Sequence, residues 1–155
     1  MDKEDYPLFL KRVEENPDFY LVAIANNELV GLCYGAPSDK TESALHLQGI
    51  AVSLDESKDL ARRGIGSSLL STLEKAAKSK GFISVGLGAA DDVGVEAFYL
   101  KNAYRPYELV AKSNSGLEYA RISIDDYESG KAHKPRLKDK YNTSEVIFIF
   151  KKDLE

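Results

Sequence analysis

A chain of 155 residues, 43% of them hydrophobic and 30% charged, is long enough to bury a core as one domain. It contains no apolar run of membrane-spanning length and no signal-peptide pattern, so a cytoplasmic protein without a membrane partner is expected. Its net charge of −4 argues against a general nucleic-acid binder, and its single cysteine, Cys33, excludes an internal disulfide.

In chain order, Leu8, Phe9 and Val13 fall at helical spacing between Pro7 and Pro17, which predicts a short helix over 4–16. Two apolar runs, Phe19 to Ala25 and Leu29 to Tyr34, flank Asn26-Asn27-Glu28 and read as a hairpin. Cys33 lies in the second run and reads as a small core residue rather than a nucleophile. A loop rich in turn formers follows from Gly35 to Glu42. Residues 45–52 then read as a strand in which Gly49 marks a bulge or a close backbone approach.

From Ile65 the apolar residues Ile65, Leu69, Leu70, Leu73, Ala76 and Ala77 recur every three or four positions, predicting a helix that ends at Gly81. Phe82 to Gly88 alternates like a strand, and a helical crossover lets it pair parallel to the strand ending at Val52. A second helix is expected over 92–103, with Val95, Phe98, Tyr99 and Ala103 on one side and Asp91 or Asp92 as its cap. Glu108 to Ala111 and Tyr119 to Ile124 read as strand pieces, and Val146 to Phe150 as a buried closing strand. Between them, Lys131, Lys134, Arg136, Lys138 and Lys140 face Asp139 alone, a cluster that reads as a solvated loop. One domain over 1–155 is expected, with an insertion at about 125–142.

The stretch Leu60-Ala61-Arg62-Arg63-Gly64-Ile65-Gly66-Ser67 joins two arginines and a Gly-x-Gly turn to the start of the strongest helix. A helix begins with about four backbone N–H groups lacking carbonyl partners and the positive end of its dipole, so an anion is favoured there. Gly64 and Gly66 allow close approach, and Arg62 and Arg63 add charge-assisted hydrogen bonds. No lysine occupies the turn, so it is not a P-loop, and Leu69 stands where a dinucleotide fingerprint needs a small residue.

This turn, its flanking strand and helix, and the later helix with Phe98-Tyr99 resemble the GNAT superfamily of acetyltransferases. The turn is similar to that superfamily's Gln/Arg-x-x-Gly-x-Gly/Ala loop, with Ala61 at the first position. Val95-Glu96-Ala97-Phe98-Tyr99-Leu100-Lys101-Asn102-Ala103-Tyr104 resembles its Ala-x-x-x-Tyr-x-x-x-Gly-Phe pattern, with Val95, Ala103 and Tyr104 in place of Ala, Gly and Phe. The resemblance implies an α/β fold of the mixed α+β kind. Its central sheet is mostly antiparallel, with about 6–7 strands, a splayed parallel pair and helices on both faces. It implies acetyl-coenzyme A as co-substrate, with no metal.

The residues implied for coenzyme binding are Ile50, Ala51 and Val52 along the strand, Arg62, Arg63, Gly64, Ile65, Gly66 and Ser67 at the diphosphate, and Asp92 and Tyr99. Asp92 stands where many members carry asparagine. Acetyl transfer needs a neutral amine, a polarised carbonyl and a proton for the departing thiolate. The resemblance assigns the Val52 N–H to the carbonyl and Tyr99 to the proton. A phenol titrates near 10 and a thiol near 8.5, so that transfer is uphill by about 2 kcal/mol. His46 lies six residues before Val52, where some members carry a glutamate or histidine base, and shares a strand face with Gln48. Glu42 and Asp92 are fallback bases. Two functions follow: an N-acetyltransferase acting on a small-molecule or protein amine, or a coenzyme A-binding sensor or scaffold without turnover. The basic insertion serves either the acceptor site or a second subunit of a homodimer.

Overall fold

The computed structural model describes residues 6–53 and 64–155. Four α-helices and seven strands are present among them: α1 (Tyr6–Glu15), β1 (Tyr20–Ala25), β2 (Glu28–Pro37), β3 (Ala44–Val52), α2 (Ile65–Ser79), β4 (Ser84–Gly88), α3 (Val93–Lys101), β5 (Arg105–Lys112), β6 (Glu118–Ser123), α4 (Tyr127–Tyr141) and β7 (Glu145–Asp153). The strands form one sheet in the order β1-β2-β3-β4-β7-β5-β6, mostly antiparallel with one parallel pair, as expected. By contacts the chain divides into two compact units, residues 1–85 with 153–155, and residues 86–152.

In the first unit, Asn26 and Asn27 both adopt left-handed backbone, with φ of 52° and 63°, the combination that a tight hairpin between right-twisted strands needs. Tyr20 pairs with Tyr34 across β1 and β2, their rings stacked at 5.8 Å, and Phe9 of α1 meets Tyr20 edge-on at 5.7 Å. On the opposite face of β2, a Cβ at Gly31 would stand 3.0 Å from Leu69 and 3.2 Å from Ile65, so α2 packs close to the strand there. The helices α1 and α2 therefore cover opposite faces of this part of the sheet. Leu69, Leu70, Leu73 and Ala77 are buried, which is the stripe their spacing predicts, and each leucine contributes about 2 kcal/mol of burial. Gly81 closes the helix end with φ 90°, and Phe82 meets Phe19 edge-on. Cys33 is fully buried and its thiol is pushed up to about 12, by burial first and then by the charge of Glu74, so it is a core residue as expected.

In the second unit, β5 pairs antiparallel with both β6 and β7. Phe148 and Phe150, two residues apart on β7, are fully buried on one face. Tyr99 of α3 lies against Phe150 at 5.7 Å and Tyr127 of α4 against Phe148 at 5.0 Å, so both helices cover that face. The segment read as a solvated basic loop is helix α4. Asp126 accepts from the Ser129 N–H at 2.7 Å and Ser129 reaches back to the Asp126 N–H, which caps the start, while Lys138 and Lys140 suit the carbonyl end. Gly130 and Pro135 mask its helical pattern in the sequence.

Candidate active site

The first unit carries the glycine turn. Gly64 precedes α2 with φ 74° and ψ 21°, a conformation costly for any residue with a Cβ, and none of the described residues lies within 4 Å of where that Cβ would be. The Ser68 N–H donates to the Gly64 carbonyl at 2.9 Å, closing the first turn. Among the described residues no side chain caps this helix, and no acid occupies its first turn. Among the described residues, then, the start of α2 has the properties expected of an anion cradle: amides without a side-chain acceptor, an open glycine, and no competing carboxylate. Arg62 and Arg63 lie outside the described residues.

Strand β3 leads toward this turn. Its register with β2 pairs Gly49 with Tyr34 but Leu47 with Gly35, so Gln48 is an extra residue, a bulge. A Cβ on Gly49 would come within 2.5 Å of the Tyr34 ring, so both features expected of Gly49 are present: an adjacent bulge and a close approach. Beyond it, Ile50, Ala51 and Val52 pair with Cys33, Leu32 and Gly31. His46 and Gln48 are exposed while Leu45 and Leu47 are buried, so the two polar side chains stand on the open face, as expected. The His46 imidazole titrates below its ordinary 6.5, chiefly because burial disfavours the cation, with Lys40 lowering it further and Asp39 opposing. It is therefore neutral at physiological pH, the form that accepts a proton.

The second unit carries α3. Asp92 caps it, accepting from the Val95 N–H at 3.0 Å. The far end closes with the Tyr104 N–H donating to the Tyr99 carbonyl at 3.0 Å and the Ala103 N–H to the Leu100 carbonyl at 3.1 Å. This is a Schellman motif, and its usual apolar contact is made here by the rings of Tyr99 and Tyr104, 5.8 Å apart. Ala103 occupies the left-handed position with φ 68°, where the family pattern has glycine. Tyr99 is 6% exposed, held by the helix end, Tyr104 and Phe150.

The sequence reading missed the charged network on the same helix. Glu96, 2% exposed, accepts from the Tyr127 hydroxyl at 2.8 Å and from Lys134 Nζ at 2.7 Å. Lys134 also reaches Asp91 at 2.7 Å, and Lys138 reaches the other Asp91 oxygen at 2.9 Å. Burial raises the Asp91 carboxyl, but hydrogen bonds from Lys134 and Lys138 outweigh it and hold the group below its ordinary range. The Tyr127 phenol is pushed up to about 12 by burial first, then by its bond to Glu96 and that carboxylate's charge. The buried side of α3 is thus Glu96 with Tyr99, whereas Val95 and Phe98 are only half-buried. The available signal was one acid three residues before Tyr99 on an apolar helix, matched by two lysines four residues apart in the later basic segment. A cavity of about 830 Å³ at the β5–β6 turn and the end of α4, bordered by Ser113, Tyr119, Asp139 and Thr143, holds none of the expected residues.

The family model described as acetyltransferase (GNAT) family matches residues 2–104, which ends before β5, so α4 and its lysines lie beyond the matched part. Among solved structures, the chain is similar to Ard1 of Thermoplasma volcanium, at 17% identity and a TM-score of 0.64, covering 99% of this chain and 84% of that one. It is similar to the ribosomal-protein-alanine N-acetyltransferase of Brucella melitensis, at 15% identity and a TM-score of 0.64, covering 99% and 80%. It is also similar to the PaiA N-acetyltransferase of Thermoplasma acidophilum, solved with coenzyme A, at 19% identity and a TM-score of 0.58, covering 93% and 66%. At these identities what is shared is the fold. No curated protein matches the sequence.

Proposed function

Because the chain belongs to the GNAT acetyltransferase family, we propose that it is an N-acetyltransferase. In this reading it moves an acetyl group from acetyl-coenzyme A to a primary amine, of a small molecule or a protein, by direct attack in a ternary complex. Its two compact units act as one domain. The observation that carries the reading is the start of α2: a first turn that no described side chain caps, behind a left-handed glycine, within the matched residues. The coenzyme-bearing neighbour adds to it, since the PaiA structure was solved with coenzyme A.

In this reading acetyl-coenzyme A supplies a thioester, and the chain supplies position and protons. Amides of Gly64 to Ser67, with Arg62 and Arg63, hold the diphosphate. Backbone groups of Ile50, Ala51 and Val52 orient the pantetheine arm, and Asp92 lies beside it. The Val52 N–H donates to the carbonyl oxygen as negative charge gathers there. Neutral His46 takes the amine proton and Tyr99 gives one to the sulfur. Holding the two reactants together turns a bimolecular attack into an intramolecular one, which supplies much of the rate. The acceptor is an amine that reaches the open face of β3 beside His46.

Burial of Tyr99 among aromatic rings favours a second reading, in which the chain binds coenzyme A without turnover. An amine library screened for release of free thiol from acetyl-coenzyme A separates the two. Amine-dependent thiol release supports the transferase, while tight coenzyme binding with no release across the library supports the sensor.

A further inference from the structure

Helix α3 has few side chains with which to set its own rotation. Among the described residues it buries two, Glu96 and Tyr99, three positions apart on one face. In its first turn Val93 is 76% exposed and Gly94 has no side chain, so packing there fixes little. The contact of Tyr99 with Phe150 holds the helix against β7, but apolar packing is non-directional. The bonds to Glu96 have direction, and both come from α4: the Tyr127 hydroxyl at 2.8 Å and Lys134 Nζ at 2.7 Å.

Lys134 is the centre of this arrangement. Its side chain is 12% exposed, with the ammonium 4.7 Å from the centroid of the Phe148 ring. It bridges Glu96 to Asp91, the residue just before the cap Asp92. The other Asp91 oxygen takes Lys138 at 2.9 Å and the Val146 N–H of β7 at 3.4 Å. Two carboxylates thus meet two ammoniums, and α3 is gripped at two points, one before its cap and one in its second turn. As a source of stability such a buried set is a poor choice, because apolar side chains of similar volume often hold a site as well or better. What it adds is a fixed orientation.

We infer that Lys134 and Glu96 are positioning residues: through them α4 sets the rotation of α3 and so the aim of Tyr99, an assignment that rests on the proposed role of Tyr99 at the coenzyme sulfur. The Tyr99 ring and the Glu96 carboxylate turn together, since both stand on the one buried face of a nine-residue helix. Without the directional bonds, the ring keeps its apolar contacts over a range of helix rotations, and its hydroxyl spends less time where the thiolate leaves.

Exchanging both partners, Glu96→Gln with Lys134→Met, tests this in the full chain. The exchange leaves no buried charge unpaired, because Asp91 keeps Lys138, and the new amide oxygen can still accept from Tyr127. Far-ultraviolet circular dichroism is expected to be unchanged, with kcat for amine-dependent thiol release lowered about tenfold or more. The KM for acetyl-coenzyme A is expected to stay within about twofold of wild type. In a Tyr99→Phe background the same exchange is expected to lower kcat no further, because its effect passes through that hydroxyl. With 3-fluorotyrosine at the nine tyrosines, the fluorine resonance lost in Tyr99→Phe reports that ring, and the exchange is expected to shift or split it. Should the exchange disturb the fold, Tyr127→Phe removes one bond to Glu96 and is expected to move the same resonance. A folded exchange with wild-type kcat overturns the proposal, and so does one that costs as much without the Tyr99 hydroxyl as with it. A wild-type chain with no amine-dependent thiol release refutes the transferase reading instead. The Tyr99 resonance then decides: movement in a folded variant supports the positioning role, and a resonance left in place overturns it.

Discussion

Ala103→Gly should stabilise this protein. Ala103 holds φ 68° at the end of α3, and a left-handed backbone costs an L-residue about 1–2 kcal/mol. Glycine removes that cost but loses more backbone freedom on folding, which takes back about 0.4–1 kcal/mol. The Ala103 methyl is exposed, so almost no packing is lost. The net gain is about 0.5–1 kcal/mol, which for 155 residues melting in one step raises Tm by about 2–3 °C. Thermal melts followed by circular dichroism, with urea titration as a check, read this directly. The converse, Ala103→Val, places a β-branched side chain in the same conformation and is expected to lower Tm. A glycine variant that melts at or below the wild-type temperature would refute the claim that the Schellman end of α3 is strained at Ala103.

Glu96→Ala leaves the Tyr127 hydroxyl and half the bonds of Lys134 without a partner, and is expected to cost about 3 kcal/mol by urea unfolding, the low end for breaking a buried pair because Lys134 keeps Asp91; a loss under about 1 kcal/mol would make the network a surface feature. Tyr99→Phe is expected to lower kcat about tenfold or more with little change in acetyl-coenzyme A affinity by calorimetry; unchanged turnover removes Tyr99 from the proton step. The folded-state pKa of His46 lies below 6.5, so its neutral, proton-accepting form persists as pH falls to that point, and kcat/KM should drop along an acidic limb below 6.5. In His46→Gln that limb is expected to vanish, and an unchanged limb would assign the base elsewhere.

How much of this was legible depended on whether a residue's role was local. The stripe Leu69, Leu70, Leu73 and Ala77 is set by a single helix meeting a single sheet face, so spacing alone revealed it. Gly49 was legible because a glycine inside a strand has few reasons to be there, and Tyr34 supplies one of them. A cap at Asp91 or Asp92 was legible from their place before an apolar helix, and Asp92 is the one that accepts from the Val95 N–H. Helix α4 was not legible, because what stabilises Lys134 and Lys138 is a pair of carboxylates more than 35 residues earlier in the chain, and a charge row looks the same whether it faces water or partners. Glu96 was missed for the same reason from the other side: an acid on an apolar helix is interpretable only once its lysine is known. The positive φ of Ala103 was hidden too, since alanine gives no hint of left-handed backbone, although the glycine of the family pattern at that place does.

The account turns on the amides that open α2. Titrating the isotope-labelled chain with coenzyme A, and separately with pantetheine, while following backbone amide resonances tests them most directly. Gly64, Ile65, Gly66 and Ser67 are expected to shift strongly with coenzyme A and to stay nearly still with pantetheine, which lacks the diphosphate. Saturating coenzyme A that moves other amides and leaves those four in place would contradict the account.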